Sequence, residues 1–230
     1  MRIPIRPLAA ELAGTFTFVF VGAGAVVVDV AKTGQLGLVG VSLAHAFALA
    51  VVVTATMRIS GGHLNPAVTF GLWLSRKIEA RSAGLYVVAQ LLGAVLAALC
   101  VRALLPEMAG EVTSYGTPRI SGLLTDAQAV GIEGLLTFFL VGAVFGTIVS
   151  PDAPRVAGFG VGLIYLVGML VGGPMTGGAM NPARAFGPAL VAGDWQAHLI
   201  YWVGPLLGAA LAASLWRWVL LPGAHGGESL

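Results

Sequence analysis

The sequence has few charged residues and a single cysteine. Charged residues make up 10% of its 230 positions, against about 25% in an ordinary soluble domain. Cys100 lies in an apolar run, and a lone cysteine forms no intrachain disulfide. A net charge of +2, without a basic run interleaved with aromatic residues, argues against nucleic acid as a partner. No nucleophile, base or metal-ligand set converges in the sequence, so we predict no enzyme activity, no cofactor and no metal site.

What the sequence contains instead is long apolar runs. Hydrophobic residues make up 57% of the chain and the mean hydropathy is +0.92. A run of ~20 apolar residues is enough to cross a bilayer as a helix. The first run follows positive charges, as in a signal peptide, but its length and the similar runs after it favour a membrane span. We therefore predict an all-α, multi-pass protein of the lipid bilayer with six spans, at about 8–30, 36–57, 83–105, 126–149, 156–172 and 198–221.

Two short segments contain the same tripeptide, Asn65-Pro66-Ala67 and Asn181-Pro182-Ala183. Asn is a favoured helix N-cap and Pro suits the first helical position, so each segment should open a helix. The apolar stretches that follow, 66–75 and 182–192, have room for only about half of a ~30 Å hydrocarbon core. We predict two half-spans, each preceded by irregular, glycine-rich backbone that must line a wet cavity or be buried in protein.

The two halves of the chain resemble each other beyond this tripeptide. Glu11 and Glu133 each stand four residues before Thr-Phe in the first and fourth spans. Each half has an odd number of full spans, so the second copy must be inverted in the membrane. Inverted repeats with interrupted helices are typical of transport proteins. We predict one transmembrane channel domain over 1–230, with repeats 8–105 and 126–221 joined by a linker, 106–125.

Helix ends that meet at the bilayer centre would form the transport path. Each N-terminus is equivalent to roughly half a positive charge, which disfavours cations and hydronium. The side-chain amides of Asn65 and Asn181 can donate hydrogen bonds to a neutral oxygen. Backbone carbonyls would supply the acceptors along the rest of the path, from Gly61, Gly62, His63 and Leu64 in the first half and Gly177, Gly178, Ala179 and Met180 in the second.

The paired Asn-Pro-Ala segments and the Glu-x-x-x-Thr-Phe repeats resemble the aquaporin, or major intrinsic protein, family over nearly the whole chain. The resemblance implies six transmembrane helices plus two re-entrant half-helices, a homotetramer, and a passive channel that conducts water and excludes protons and ions. It also implies that Arg184, on the first turn of the second half-helix, belongs to the selectivity filter, which agrees with the high cost of a charge at this depth.

By their spacing from the Asn-Pro-Ala segments, the other filter positions of the family fall on His45, Met169 and Gly178. His45 is similar to the plant vacuolar members, which often pass ammonia as well as water, although a helix-packing histidine is the alternative. Gly178 indicates a wide constriction. A glycerol facilitator is the nearest alternative function, but that branch usually has Asp after the arginine where this chain has Ala185.

Glu11 and Glu133 are two acidic residues predicted to be buried inside the spans. A proton relay is one interpretation of such residues. Because the repeat pairs them, we expect them instead to accept hydrogen bonds from the irregular backbone before each half-helix, as in the resembling family. A coupled secondary transporter would need an acidic site free near the midplane, so the passive channel is preferred.

Charge predicts the orientation. One side, here called the inner side, holds most of the basic residues: Arg2, Arg6, Arg58, Arg76, Lys77, Arg81, Arg155 and Arg217. The opposite, outer side holds Lys32, Arg102, Arg119 and Arg184. By the positive-inside rule both termini are cytoplasmic, and we predict a location in the cell (plasma or inner) membrane with the filter facing the outer mouth.

Overall fold

The fold was analysed in a computed structural model that describes residues 5–221. Within that range it is all-helical, and six helices are long and apolar enough to span a membrane. This confirms the predicted fold class. Arg2, counted among the inner charges, lies outside the described residues. The helices are α1 (Ile5–Ala31), α2 (Gly37–Thr56), α3 (Pro66–Leu74), α4 (Ala80–Leu104), α5 (Glu107–Val112), α6 (Asp126–Val144), α7 (Gly158–Thr176), α8 (Pro182–Ala192) and α9 (Ile200–Leu215).

The half-helices α3 and α8 begin where the sequence predicts. Asn65 accepts a hydrogen bond from the backbone N–H of Ala67 at 2.8 Å, and Asn181 accepts one from Ala183 at 3.0 Å. Each Pro occupies the first turn, where the missing N–H would have had no helical partner. The predicted caps are therefore confirmed.

Close packing of the spans depends on glycine at matched places in the two halves. Gly93 of α4 lies against the carbonyl oxygen of Leu12 in α1, and Gly208 of α9 lies against that of Gly134 in α6. A Cβ at either glycine would collide with that oxygen. Small residues at such positions let two backbones approach in a membrane, where packing and hydrogen bonds replace the hydrophobic effect. These contacts bring α1 to α4 and α6 to α9, and so hold the half-helices between the spans.

Three spans differ in detail from the sequence prediction. The span predicted to end near 172 continues as α7 to Thr176, with Pro174 inside its last turn and left-handed Gly177 as its C-cap. Both α6 and α9 end in a π-helical turn, Phe145–Val149 and Trp216–Leu220. Helix ends are the least predictable part of an apolar run, because the apolar pattern continues across them.

The linker 106–125 is more ordered than its Pro- and Gly-rich sequence suggests. It forms the short helix α5 and a 3₁₀ turn, Ser114–Gly116, both packed on the outer side. Ser121 donates a backbone hydrogen bond to the carbonyl of Met175 at 2.8 Å. A Cβ at Gly116 would stand 2.7 Å from Cα of Ala23, so glycine lets the linker lie directly on α1. The linker therefore reaches the second re-entrant segment.

Candidate functional site: two helix ends and an outer constriction

The two half-helices meet end to end through reciprocal hydrogen bonds. Asn65 Nδ2 donates to the carbonyl of Met180 at 2.8 Å, and Asn181 Nδ2 donates to that of Leu64 at 3.0 Å. Leu64 and Met180 both have left-handed backbone, with φ of 51° and 49°. Left-handed backbone is strained for residues other than glycine, and such strain is typical of functional sites. Here the carbonyls of both residues accept the asparagine hydrogen bonds. Each amide keeps a second N–H for which the described residues supply no acceptor.

Each re-entrant segment is anchored by one buried carboxylate. Glu11 accepts hydrogen bonds from the backbone N–H groups of His63 at 3.0 Å and Leu64 at 2.7 Å. Glu133 accepts the equivalent pair from Ala179 at 2.9 Å and Met180 at 2.8 Å. Both carboxylates therefore accept hydrogen bonds from the irregular backbone before a half-helix, as predicted. Buried N–H groups need such acceptors, because no water reaches them.

Replacing Glu133 should therefore show whether its carboxylate anchors the second re-entrant segment. Glu133→Gln keeps one carboxamide oxygen for Ala179 or Met180, whereas Glu133→Ala leaves both N–H groups buried without an acceptor, at a cost of about 1–3 kcal/mol each. We expect a lower thermal unfolding midpoint for the alanine variant than for the glutamine variant, measured by tryptophan fluorescence in detergent. Glu111→Ala, on the exposed face of α5, is the control. A loss of stability no larger in Glu133→Ala than in this control would contradict the anchoring role.

Arg184 is held in place by the linker and by α2. Its Nη1 donates to the carbonyl of Gly116 at 2.6 Å, and its Nη2 lies 3.3 Å from His45 Nε2. His45 Nδ1 lies 2.9 Å from the carbonyl of Val41, so this nitrogen carries the hydrogen and Nε2 accepts from the arginine. Arg184 is only 2% exposed, and its Nε has no partner within the described residues. The described hydrogen bonds thus use two of the five guanidinium N–H groups.

Met169 and Gly178 form the other side of the same region. The Met169 sulfur lies 2.9 Å from the place where a Cβ at Gly178 would stand. Gly178 has a left-handed φ of 55°, so a side chain there would be strained as well as crowded. Met169 and Arg184 line one outer cavity of about 320 Å³. The structure therefore brings the four predicted filter residues together at the outer end of the path.

Two residues of this region were missed in the sequence analysis. The Tyr165 hydroxyl donates toward the carbonyls of Gly178 and Ala179, at 3.2 and 2.9 Å, and its ring stacks on His45 with centroids 6.0 Å apart. A tyrosine one turn before Met169 in an apolar run was a usable signal. Gly116 was not detectable, because its part in the site depends only on where its carbonyl points.

The eight carbonyls predicted to line the path divide into two groups. Four already accept a hydrogen bond from the protein: Leu64 and Met180 from the asparagines, and Gly178 and Ala179 from Tyr165. The other four have no protein donor within residues 5–221: Gly61, Gly62, His63 and Gly177. A carbonyl oxygen has two lone pairs, so even the first group retains acceptor capacity.

His63 lies at the inner end of the predicted path. Its Nδ1 lies 3.1 Å from the Thr69 hydroxyl, and its ring meets Tyr86 edge to face at 5.1 Å. His63 and Tyr86 line a cavity of about 290 Å³ together with Lys77. Gln90 donates to both Glu11 and Thr69, so this histidine belongs to a polar cluster. The positions that match Gln90 and His63 in the second repeat are Pro205 and Ala179.

An ion pair fixes the linker at the outer mouth. Arg119 Nη2 lies 3.1 Å from Asp194 Oδ2, and the Ser114 hydroxyl donates to the same oxygen at 2.7 Å. The Ser114 hydrogen bond, assisted by Arg119, holds the pKa of Asp194 below its usual value. Since Ser114 and Gly116 share one 3₁₀ turn, this pair also steadies the carbonyl that holds Arg184.

Comparisons with known proteins agree with this geometry. The family described as "Major intrinsic protein" matches residues 3–216. The chain is 42% identical to "Probable aquaporin TIP3-2" of Arabidopsis thaliana over 236 residues, 96% of this chain and 86% of that relative. It is also 42% identical to "Aquaporin TIP4-4" of Zea mays, over 97% of this chain and 89% of the relative.

A solved structure is similar in fold. The X-ray structure of the aquaglyceroporin from Plasmodium falciparum superposes with a TM-score of 0.84 over 96% of this chain and 98% of that one, at 24% sequence identity. The family match covers most of the sequence as well. The chain belongs to the major intrinsic protein family, and is a multi-pass membrane channel of the aquaporin type and not an enzyme.

Proposed function

We propose that the chain is a passive channel for water and ammonia that excludes protons and ions. The observation that supports it best is the junction of α3 and α8, where two helix N-termini meet through Asn65 and Asn181. Both ends present donors and positive dipole charge to one point. A neutral molecule with a lone pair is stabilised there, whereas a cation is repelled.

The outer constriction adds a second, stronger barrier to cations. Arg184 has a full charge that no described carboxylate contacts within ion-pair distance. At ~4 Å and an effective dielectric constant of about 20, such a charge repels a monovalent cation by about 4 kcal/mol.

Ammonia is favoured over glycerol as the second solute by the chemistry of the constriction. Gly178 contributes no side chain, and Met169 is a flexible, weakly polar wall. The ring of His45 is engaged by Arg184 and Val41, so His45 offers no free partner to the hydroxyls of glycerol. The aquaporin names of the plant relatives support the water branch. A glycerol facilitator is the alternative.

Proteoliposomes test this proposal directly. We would measure osmotic shrinkage by stopped-flow light scattering, with ammonia and glycerol uptake and ion current on the same preparation. Fast water flow with low activation energy, ammonia uptake, little glycerol uptake and no ion current are the expected results. Water flow no faster than in empty liposomes would overturn the proposal, and rapid glycerol uptake would favour the alternative.

The size of the Met169 side chain should decide solute range. Met169→Phe places a rigid ring beside Gly178 and Arg184, and should reduce the flux of a larger neutral solute, measured with urea, about fivefold but water flux less than twofold, because the larger solute is more sensitive to pore diameter. Met108→Phe, on the 79% exposed Met108 of α5, is the matched control. Equal losses of both fluxes would show that the narrowest part of the pore does not lie at Met169.

The hydrogen bonds of the two buried carboxylates disfavour a coupled secondary transporter. Glu11 and Glu133 use both carboxylate oxygens on backbone N–H groups and hydroxyls. A coupling ion would have to displace these bonds and release the re-entrant segment. The passive channel needs no such change.

The proposal includes the assembly and orientation. We propose a homotetramer, as the family resemblance implies, built from one domain with repeats 8–105 and 126–221 joined by 106–125. We also propose cytoplasmic termini, on the strength of the inner-side basic residues. The predicted plasma-membrane location gains no support from the relatives, which are TIP-type aquaporins.

A further inference from the structure

A cavity of about 760 Å³ lies on the inner side, apart from the filter and the asparagine junction. It opens between the end of α2 and the segment 150–157 that joins α6 to α7. Two arginines line it, one on each wall: Arg58 follows α2, and Arg155 precedes α7. No carboxylate lines the cavity, and neither arginine has an ion-pair partner among residues 5–221. Such a cavity concentrates positive charge.

Further donors are directed toward the same space. The Ser150 hydroxyl accepts a hydrogen bond from the Asp152 N–H at 3.3 Å, and its own hydrogen has no acceptor among the described residues. The N-terminus of α7 lies at the cavity through Ala157, and its first turn has no acidic residue. Its Gly158 N–H already donates to the Thr54 hydroxyl at 3.1 Å, so the helix end contributes its partial positive charge. A helix N-terminus of this kind favours an anion.

Two local features oppose an anion, the C-terminus of α2 and the Asp152 carboxylate, and their charges can be compared with those of the arginines. The C-terminus of α2 ends beside Met57 on the cavity wall. It is equivalent to roughly half a negative charge, and the α7 N-terminus to roughly half a positive one. These two partial charges offset each other. The Asp152 carboxylate, on the same segment as Arg155 but not lining the cavity, offsets part of the two full charges of Arg58 and Arg155. The balance of the site remains positive.

The apolar residues that line the cavity indicate which kind of anion it binds. Met57, Ile148 and Pro154 give the cavity an apolar wall beside its arginines. The arginine guanidinium matches phosphate oxygens in a planar, two-bond geometry. A phosphate attached to an apolar group satisfies both walls at once, whereas a free phosphate satisfies only the basic one.

We propose that this cavity binds a phosphate-bearing anion, and that the phosphate belongs to the headgroup of an anionic phospholipid on the inner side of the membrane. Arg58 and Arg155 hold the phosphate oxygens from opposite walls, and the Ser150 hydroxyl donates to one of them. Ile148 lines both this cavity and the cavity at His63. The bound headgroup therefore lies next to the inner mouth of the path.

The test uses the purified full chain in neutral detergent. Native mass spectrometry would measure binding of dioctanoyl phosphatidylglycerol, of dioctanoyl phosphatidylcholine, and of inorganic phosphate as a competitor. We expect preference for phosphatidylglycerol over phosphatidylcholine. The double variant Arg58→Gln/Arg155→Gln should bind phosphatidylglycerol at least about tenfold more weakly, because charge-assisted hydrogen bonds are lost.

Two further variants make the result specific. Arg76→Gln removes one inner-side arginine outside the cavity and should leave binding unchanged. Arg58→Lys/Arg155→Lys keeps the charge and should retain most of the binding. An equal loss in Arg76→Gln, or no preference for phosphatidylglycerol in the unmodified chain, would overturn the site. Displacement of the lipid by equimolar inorganic phosphate would overturn the assignment to phospholipid. Unliganded unfolding midpoints, compared across the variants, would exclude misfolding as the cause.

Discussion

Gly208→Ala is expected to destabilise the folded channel strongly, although it adds only one methyl group. Its Cβ would overlap the carbonyl oxygen of Gly134, and Phe138 N would lie within 2.9 Å. Backbone cannot rotate away as a side chain can, so α9 must move away from α6. Overpacking in a tight interior typically costs about 1–3 kcal/mol, and a collision with backbone belongs at the upper end.

The matched control for this change lies on the same helix pair. Gly131→Ala in α6 would meet no atom within 4 Å, and alanine is the better helix former. We expect an unchanged or slightly higher unfolding midpoint for Gly131→Ala, and a drop of several degrees for Gly208→Ala, by tryptophan fluorescence in detergent. Similar midpoints for the two variants would show that α6 and α9 separate without cost.

The Gly93 contact extends the argument to the other repeat. Gly93→Ala meets the carbonyl of Leu12 as Gly208→Ala meets that of Gly134. The repeat in the sequence, Gln90-Leu91-Leu92-Gly93 beside Pro205-Leu206-Leu207-Gly208, thus corresponds to one packing solution used twice. A repeat of this kind can be predicted from the sequence because the same local steric requirement selects glycine both times.

The helix starts at Asn65 and Asn181 were predictable for a related reason. Capping depends on residues within three positions of the helix start, and Asn followed by Pro satisfies it locally. The anchoring by Glu11 was also predictable, since the repeat paired it with Glu133 and irregular backbone in a membrane must find acceptors. Both inferences needed only short sequence windows or internal symmetry.

The partners of Arg184 were not predictable in the same way. Gly116 holds the guanidinium through a backbone carbonyl from the linker, 68 residues away, and any residue type has such a carbonyl. Its position depends on the left-handed φ of 84° at Gly116 and on the close approach to Ala23. Composition marked this segment only as Pro-, Gly- and Ser-rich, which describes a loop without saying where it folds.

Arg184→Val should change selectivity more than any other substitution in the outer constriction. It removes the full positive charge and the hydrogen bonds to Gly116 and His45. Glycerol and methylammonium uptake should each rise about tenfold, because both the narrowing and the local repulsion of cations are lost. Water flow should change less than twofold, since water passes the narrower constriction already.

The rise in cation uptake should nevertheless be limited by the second barrier. The junction at Asn65 and Asn181 keeps its two positive helix ends, and barriers in series are governed by the one that remains. Methylammonium uptake should therefore increase less than the ~4 kcal/mol of removed repulsion would allow on its own, a factor near a thousand. Stopped-flow uptake in proteoliposomes measures both solutes.

A matched control separates this effect from general disruption of the outer side. Lys32→Val removes an exposed outer-side basic residue directly after α1, outside the Ser114–Gly116 turn that holds Arg184. It should leave glycerol and methylammonium uptake unchanged. If Arg184→Val also left both uptakes unchanged while its unfolding midpoint stayed near that of the unmodified chain, Arg184 would have no part in selection. Exclusion of cations would then rest on the two helix ends alone.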